Sequence, residues 1–284
     1  MNVDDNRDDL RQILDYYNAG SEINRLQSGI GVIEWERSKQ IISRYLFDRP
    51  MVIYDIGGGA GAYSRWLAEL GHEVHLFDLS PAAVEYAIAL QSPGDIPPIH
   101  RIETADGRRI ARSGGSADLI LLMGPLYHLT ERDERLDALE EAFRLLKPGG
   151  TLLAAAISRF GSTLWGLSVY GQKNDILEEQ PFMSMIEREL ADGQHIRPEE
   201  YPNFIARAFF HLPNELKEEI EESGFNHLST AAVEGPVWIV PALAEKWRNP
   251  ESRAALLRIS SIVEEQESLL GMSPHLLAAA KKRS

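Results

Sequence analysis

The stretch VIYDIGGGAGAYS, Val52 to Ser64, constrains this chain more than any other. A β-branched and apolar run reaches an aspartate and then breaks into four glycines within five positions. Directly after it, AYSRWLAELG has the spacing of a helix closed by Gly71. A strand that ends in bare backbone at a helix start lets a ligand approach N–H groups at the positive end of the helix dipole. A turn that is merely tight seldom needs four glycines.

The same alternation recurs along the chain. HEVHLFDL reads as a second strand, and SPAAVEYAIAL as a helix with Ser80 at the N-cap and Pro81 at its first position. A strand near IHRIETAD, a buried strand ADLILLMG, a helix ERDERLDALEEAFRLL and a strand GTLLAAAIS after the turn KPGG complete the run. Strands alternating with helices and joined by short connections predict parallel pairing with right-handed crossovers, an α/β doubly wound sheet. After Ser158 the pattern breaks. Residues 159 to about 210 show no strand alternation, PNELKEEIEESGF resumes as a helix stopped by Gly224, and NHLSTAAVEG follows as a strand. Residues 235 to 272 are irregular and then helical, before HLLAAAKK as a last strand. Both breaks read as insertions over the carboxyl ends of the strands, where such folds carry function.

With 284 residues the chain can bury a sizeable core, enough for one decorated domain or a domain with a cap. Its formal net charge is -14 and no Lys/Arg-rich run offers a stripe for phosphates, which argues against a long nucleic acid. It has no cysteine, which excludes disulfides, thiolate nucleophiles and Cys-based zinc sites. The first residues are acidic rather than basic and then apolar, and no uninterrupted apolar stretch is long enough to span a membrane. The default expectation is a cytoplasmic protein.

Two nucleotide readings compete for the glycine loop. Gly57, Gly59 and Ala62 also satisfy the dinucleotide fingerprint, and Asp78, at the end of the next strand, would grip ribose hydroxyls in either case. Three features separate the readings. Asp55 stands two positions before the first glycine, where it would repel a pyrophosphate and attract a cationic amino-acid moiety. Asp106 in ETADGRR is placed to accept from an exocyclic adenine amine. LLKPGG closes the helix before the fifth strand.

Taken in order and spacing, DIGGGAG, FDLS, TADG, DLILLMGPLYHL and LLKPGG resemble the motifs of class I S-adenosylmethionine-dependent methyltransferases, most strongly over residues 50–157. MGPLYHL, ARAFFHLPNEL, EGPVWIVPAL, ESLLGMSPHLLAAAKK and the N-terminal YYNAGSEINRL also look like a bacterial group of that family. The resemblance implies a Rossmann-like, seven-stranded sheet whose last strand runs antiparallel, here in STAAVEG with HLLAAAKK, and helical cap insertions. It divides the chain into an N-terminal helical segment over the cofactor (1–49), a cofactor-binding core (50–158), a cap (159–210) and the end of the core (211–284) with a second insertion at about 235–272.

Carried over residue by residue, the resemblance places Gly57, Gly59 and Gly61 along the methionine part and ribose, and Asp55 at the α-amino group. Asp78 would take the ribose hydroxyls, Leu79 would lie on the adenine, Asp106 and Gly107 would read its edge, and the Met123 carbonyl would receive the amino group. S-adenosyl-L-methionine is the implied cofactor and S-adenosyl-L-homocysteine the product. Its methyl is already activated, so alignment and water exclusion suffice, and no catalytic triad is expected or visible. The acidic residues of GPLYHLTERDE suit a solvated helix start, so no metal is expected.

On the acceptor side, Tyr127 and His128 follow the fourth strand directly. His195 and His211 belong to the first insertion, and the reading has all four converge on one chamber, with a histidine taking the acceptor's proton. Tyr16, Tyr17 and Arg25 lie before the first strand in a segment that either folds as a helix over the cofactor, with an aromatic closing the transfer channel, or packs as a helix against the sheet by its aromatics. The expected partner is a small-molecule methyl acceptor, with a homodimer left open and no membrane or long nucleic acid. Methylation of RNA or a protein side chain is the alternative, and a nicotinamide-dependent oxidoreductase a distant third.

Overall fold

The computed structural model describes residues 25–91, 98–168, 175–202 and 204–283. Its centre is a sheet whose strands bury both faces, which is why they read as near-continuous apolar runs. In β4 (Ala117–Leu122), Leu119 and Leu121 join Ile53 and Leu153 in the core on one face, while Ile120 and Leu122 join Tyr54, Ile56 and Leu152 in the core on the other. Strands β1 (Val52–Ile56), β2 (Glu73–Asp78), β3 (Arg101–Thr104), β4 and β5 (Leu146–Ser158) pair in parallel in the order β3-β2-β1-β4-β5. β1 lies between β2 and β4, so the chain first winds outward to β3 and then returns to the other side. That reversal opens a crevice at the carboxyl ends of β1 and β4.

Helices cover both faces of these strands. α1 (Gly31–Ser43) precedes β1, α2 (Ala62–Glu69) and α3 (Pro81–Ala89) follow β1 and β2, and α4 (Pro125–His128) and α5 (Arg132–Leu145) follow β4. Ser80 caps α3 as expected, its hydroxyl accepting from the Ala83 N–H at 3.2 Å with Pro81 next in line. Gly71, at φ 89°, stops the chain after α2.

The antiparallel pair at the end of the sheet forms as expected. β8 (Phe225–Ala232) pairs β9 (His275–Lys282), and β9 runs antiparallel to β5 from Thr151↔Lys281 to Ile157↔His275. Between β8 and β9 lie a short 3-10 turn (Gly235–Ile239), α9 (Leu243–Arg248), α10 (Pro250–Val263) and α11 (Glu267–Leu270).

The segment after β5 differs from the sequence reading. It contains α6 (Gly161–Ser168) and α7 (Gln180–Asp192), and also an antiparallel hairpin of β6 (Gln194–Ile196) and β7 (Arg207–His211). β7 pairs in parallel with the last residues of β5, Ile157↔Phe210 and Ser158↔His211. β9 already occupies the other edge there, so β7 takes the β4 side beyond the end of β4. Strands of three and five residues, with Ala208 to His211 all buried, carry too little alternation for a periodicity reading. After α8 (Pro213–Glu222), Gly224 at φ 92° turns the chain into β8.

Candidate functional site

The glycine loop between β1 and α2 is held by its neighbours' backbones and by one carboxylate. Gly57, at φ 77°, donates its N–H to the Phe77 carbonyl at 2.7 Å, and a Cβ there would fall 2.5 Å from Pro125 Cδ. The Gly59 N–H donates to Asp78 Oδ2 at 2.7 Å, and the Ser80 N–H to Asp78 Oδ1 at 2.8 Å. Asp78 therefore ties the loop after β1 to the turn after β2, a structural role beyond the ribose contact the sequence suggests. A Cβ at Gly59 would meet nothing within 4 Å, so this part of the loop faces open space.

Asp55 is 1% exposed. Its Oδ2 accepts from the Ser64 hydroxyl at 2.6 Å, while Oδ1 has no hydrogen-bond partner among the described residues. Burial pushes its pKa up to about 6; the Ser64 hydrogen bond opposes this and the charge of Asp78 adds to it. A buried carboxylate oxygen with no donor is what a cationic group would satisfy.

These residues open on a cavity of about 670 Å³. Asp55, Gly57, Gly59, Asp78, Leu79, Asp106, Gly107 and Met123 all line it. Gly61 does not. At φ 76° it makes the left-handed turn into α2, so its role is in the backbone rather than at the wall. Asp106 is at the wall, but its carboxylate is already held by Arg108, through Nε at 3.0 Å and a terminal nitrogen at 2.6 Å. This cation beside it, together with the Arg108 N–H, keeps Asp106 below the usual carboxylate range despite partial burial. The Met123 carbonyl accepts the Tyr127 hydroxyl at 3.1 Å.

The sequence reading missed part of this wall. Trp35 and Lys39 of α1 line the cavity, with Lys39 Nζ 4.8 Å from the centre of the Trp35 ring and that ring 5.0 Å from Tyr63. Arg25 and Leu26 contribute from the segment before α1; Tyr16 and Tyr17 lie outside the described residues. An apolar face on an N-terminal helix carries no signal that distinguishes a ligand wall from a packed core.

A second cavity, of about 1190 Å³, adjoins the first through Arg25 and Tyr127, which line both. Its wall is mostly apolar, with Leu164 and Trp165 of α6, Trp238 and Ile239 after β8, and Ile157 at the end of β5. His275, the first residue of β9, stands in the same wall.

The four acceptor-side groups do not converge. Tyr127 and His128 line the first cavity, but burial pushes the His128 imidazole down to about 3, too weak a base to collect protons at neutral pH. His211 is fully buried and lines neither cavity; its Nε2 lies 3.3 Å from Glu219, which also receives Arg135 at 2.7 Å. His195 is 1% exposed, with Nδ1 2.6 Å from Glu189 and Nε2 2.9 Å from the Ile205 carbonyl. Its ring stacks on Phe210 at 4.8 Å. His195 pins the hairpin to α7 and His211 pins it to α8, instead of facing a ligand. Each is held by a buried glutamate six or eight residues away in the chain, on a helix whose exposed-looking charges gave no sign of the pairing.

Residues 53–150 match the family described as methyltransferase domain. The ubiquinone biosynthesis O-methyltransferase of Xanthomonas campestris pv. campestris is 30% identical over 107 residues, 38% of this chain and 43% of that protein. This chain thus spans less than half the length of that relative. The enzyme of the same description from Xanthomonas axonopodis pv. citri is 27% identical over 197 residues, 69% of this chain and 68% of that protein. Among solved structures, the Burkholderia thailandensis 1,6-didemethyltoxoflavin-N1-methyltransferase with bound 1,6-didemethyltoxoflavin and S-adenosylhomocysteine superposes with a TM-score of 0.57. It is 14% identical, and the match covers 100% of this chain and 92% of that one. The chain carries a class I S-adenosylmethionine-dependent methyltransferase domain. S-adenosylmethionine is the cofactor of that domain, and the orphaned carboxylate oxygen of Asp55 together with the open face of Gly59 fits it.

Proposed function

We propose that this protein transfers the methyl group of S-adenosylmethionine to a small-molecule acceptor held in the second cavity. The observation that carries this reading is the junction of the two cavities at Tyr127 and Arg25, at the carboxyl edge of the sheet. The first cavity presents a carboxylate for an ammonium group at Asp55 and remaining lone pairs for ribose hydroxyls at Asp78. Leu79 offers an apolar surface to the adenine, and Asp106 with Gly107 its edge. When bound, the cofactor supplies an already activated methyl on a sulfonium, so the chain's part is to align the acceptor and exclude water. The segments after β5 and after β8 act as the cap that does so, with Trp165 and Trp238 as apolar surface. Enclosure between elements suits a small ligand better than a polymer. The named activities of the Xanthomonas relatives and the small ligand in the Burkholderia structure support the same class of acceptor.

The test has two parts. Calorimetric titration with S-adenosylhomocysteine and with NADH should show binding of the first alone. Methyl transfer from labelled S-adenosylmethionine should then appear with a metabolite extract and not with tRNA; label in the tRNA alone would replace this reading with that of an RNA methyltransferase.

A further inference from the structure

Four charged groups from separate parts of the chain meet at the wall of the second cavity. His275 Nδ1 lies 2.6 Å from Glu234 Oε1 and 3.6 Å from Glu34 Oε2. Glu34, on α1, is itself bound by both terminal nitrogens of Arg25, one of them at 2.8 Å. Glu234 is fully buried and also accepts from the Ser273 hydroxyl at 2.7 Å and the His275 N–H at 3.1 Å. Two carboxylates thus face one edge of the imidazole. The opposite edge carries Nε2, which has no hydrogen-bond partner among the described residues, and 19% of the side chain is exposed in a residue that lines the cavity. EGPVWIVPAL begins at Glu234 and HLLAAAKK at His275, but neither residue is singled out by the sequence, and Glu34 lies outside every motif.

We propose that His275, clamped by Glu234 and Glu34, is the anchor of the methyl acceptor, and that it selects an organic oxyanion on an apolar body through its Nε2–H. This rests on the second cavity being the acceptor site. Several groups face the imidazole. Glu34 from α1 and Glu234 from the turn after β8 favour its charged form, Arg25 opposes it, and the Tyr63 hydroxyl lies in the field of Glu34. Burial alone would lower its pKa, but the two carboxylates outweigh burial and raise it to about 9. The ring is therefore an imidazolium at neutral pH, a donor and not a base. Arg25 and His275 balance Glu34 and Glu234 in charge, so an oxyanion meets no net repulsion, whereas an ammonium would face an N–H that it cannot accept.

The chemistry then needs no base. An acidic hydroxyl loses its proton to solvent when it binds as the anion at Nε2–H. One lone pair of that oxygen forms the bond to the methyl carbon, the carbon–sulfur bond breaks, and its electron pair returns to sulfur, leaving a neutral thioether. Arg25 belongs both to this cluster and to the wall of the cofactor cavity, which brings the anchored oxygen to the junction.

The experiment uses the full chain with S-adenosylhomocysteine and three probes: 4-nitrophenol, 4-nitrobenzoate and neutral 4-nitroanisole. The ionisation of bound nitrophenol is read from its visible absorbance. The expected result is that the two acids bind, that nitrophenol binds as its anion below its free pKa, and that nitroanisole binds about tenfold more weakly or worse. Binding should persist at neutral pH and fall as pH rises through about 9. His275→Gln should weaken the acids about tenfold or more. Glu234→Gln, which keeps the shape, should move the alkaline limit to lower pH. With S-adenosylmethionine in place of S-adenosylhomocysteine, methyl transfer to nitrophenol but not nitrobenzoate would assign the oxygen to a hydroxyl, and the reverse to a carboxylate. The proposal is overturned if nitroanisole binds as well as the acids, if both variants behave as the native chain does, or if no probe binds to a chain that binds S-adenosylhomocysteine. That last result leaves the cofactor site standing, whereas failure to bind S-adenosylhomocysteine removes both.

Discussion

The two cavities sit side by side on one sheet edge, yet they are built in opposite ways. The cofactor cavity is made where consecutive strands end and short loops leave them, so its residues fall within a few positions of a strand end: Asp55 in β1 and Gly57 just after it, Asp78 as the last residue of β2, Met123 after β4. The second cavity, where the acceptor is proposed to bind, is assembled from α6, the turn after β8, the first residue of β9 and the segment before α1. Its charged cluster joins residues 25, 34, 234 and 275. A loop that grips an invariant chemical group can be local, but a wall that selects one acceptor among many is drawn from wherever the caps fold back.

The largest expected effect tests whether the histidines of the first insertion belong to either cavity. Glu219 is 3% exposed and neutralises Arg135, 2% exposed, with hydrogen bonds of 2.7 to 3.1 Å. Its pKa is pulled down to about 2, against burial, by His211 and Arg135. Glu219→Ala leaves a buried guanidinium uncompensated, at a cost of about 3–5 kcal/mol of stability. Denaturant unfolding measures this, while cofactor affinity in the fraction that remains folded should be unchanged. A variant of native stability that had lost methyl transfer would return His211 and Glu219 to the active site.

A smaller effect should fall on the cofactor cavity alone. Asp78→Ala removes the acceptor of the Gly59 and Ser80 N–H groups as well as the ribose contact. S-adenosylhomocysteine affinity should drop by about 1–3 kcal/mol in a calorimetric titration. Trp165→Ala, in the acceptor cavity, should leave that affinity unchanged and raise the KM of the acceptor. Equal loss in both variants would mean that the cavities act as one site.

How far the sequence carries follows the same divide. The doubly wound order, the antiparallel β9 and the helix cap at Ser80 follow from periodicity and local chemistry, which act within a few residues. That Asp55, Asp78 and Gly59 meet at one cavity wall is legible because the glycine loop fixes what lies beside it. That Gly61 stays off the wall is not legible, because the same residue type serves a helix start as well as a ligand wall. Hairpin β6–β7 is hidden by its short strands. His275 is hidden by its place at the head of an ordinary strand, since the carboxylates that give it character lie 41 and 241 residues away in the chain. His128 is misread for the opposite reason: its position beside β4 is legible, but the burial that removes its basicity is not.

The smallest expected effect is one of pH and bears on the cofactor cavity's own electrostatics. Asp55 has a folded pKa of about 6 against an ordinary aspartate value of 3.8, because burial disfavours its charged form. A group raised on folding contributes stability that is complete below its unfolded value and is lost as pH rises through its folded value. Without cofactor, heat resistance should therefore fall as pH climbs from about 4 through 6. Binding runs the other way, since an ammonium beside Oδ1 requires the ionised carboxylate. S-adenosylhomocysteine affinity should rise with pH by up to about tenfold per unit below 6 and level off above it. Asp55→Asn should abolish this slope, weaken the cofactor above pH 6 and make the cofactor-free protein more resistant to heat there. Native affinity that is flat between about pH 5 and 7 would mean that the cofactor's cation is met elsewhere, and that Asp55 serves only to hold Ser64 at the start of α2.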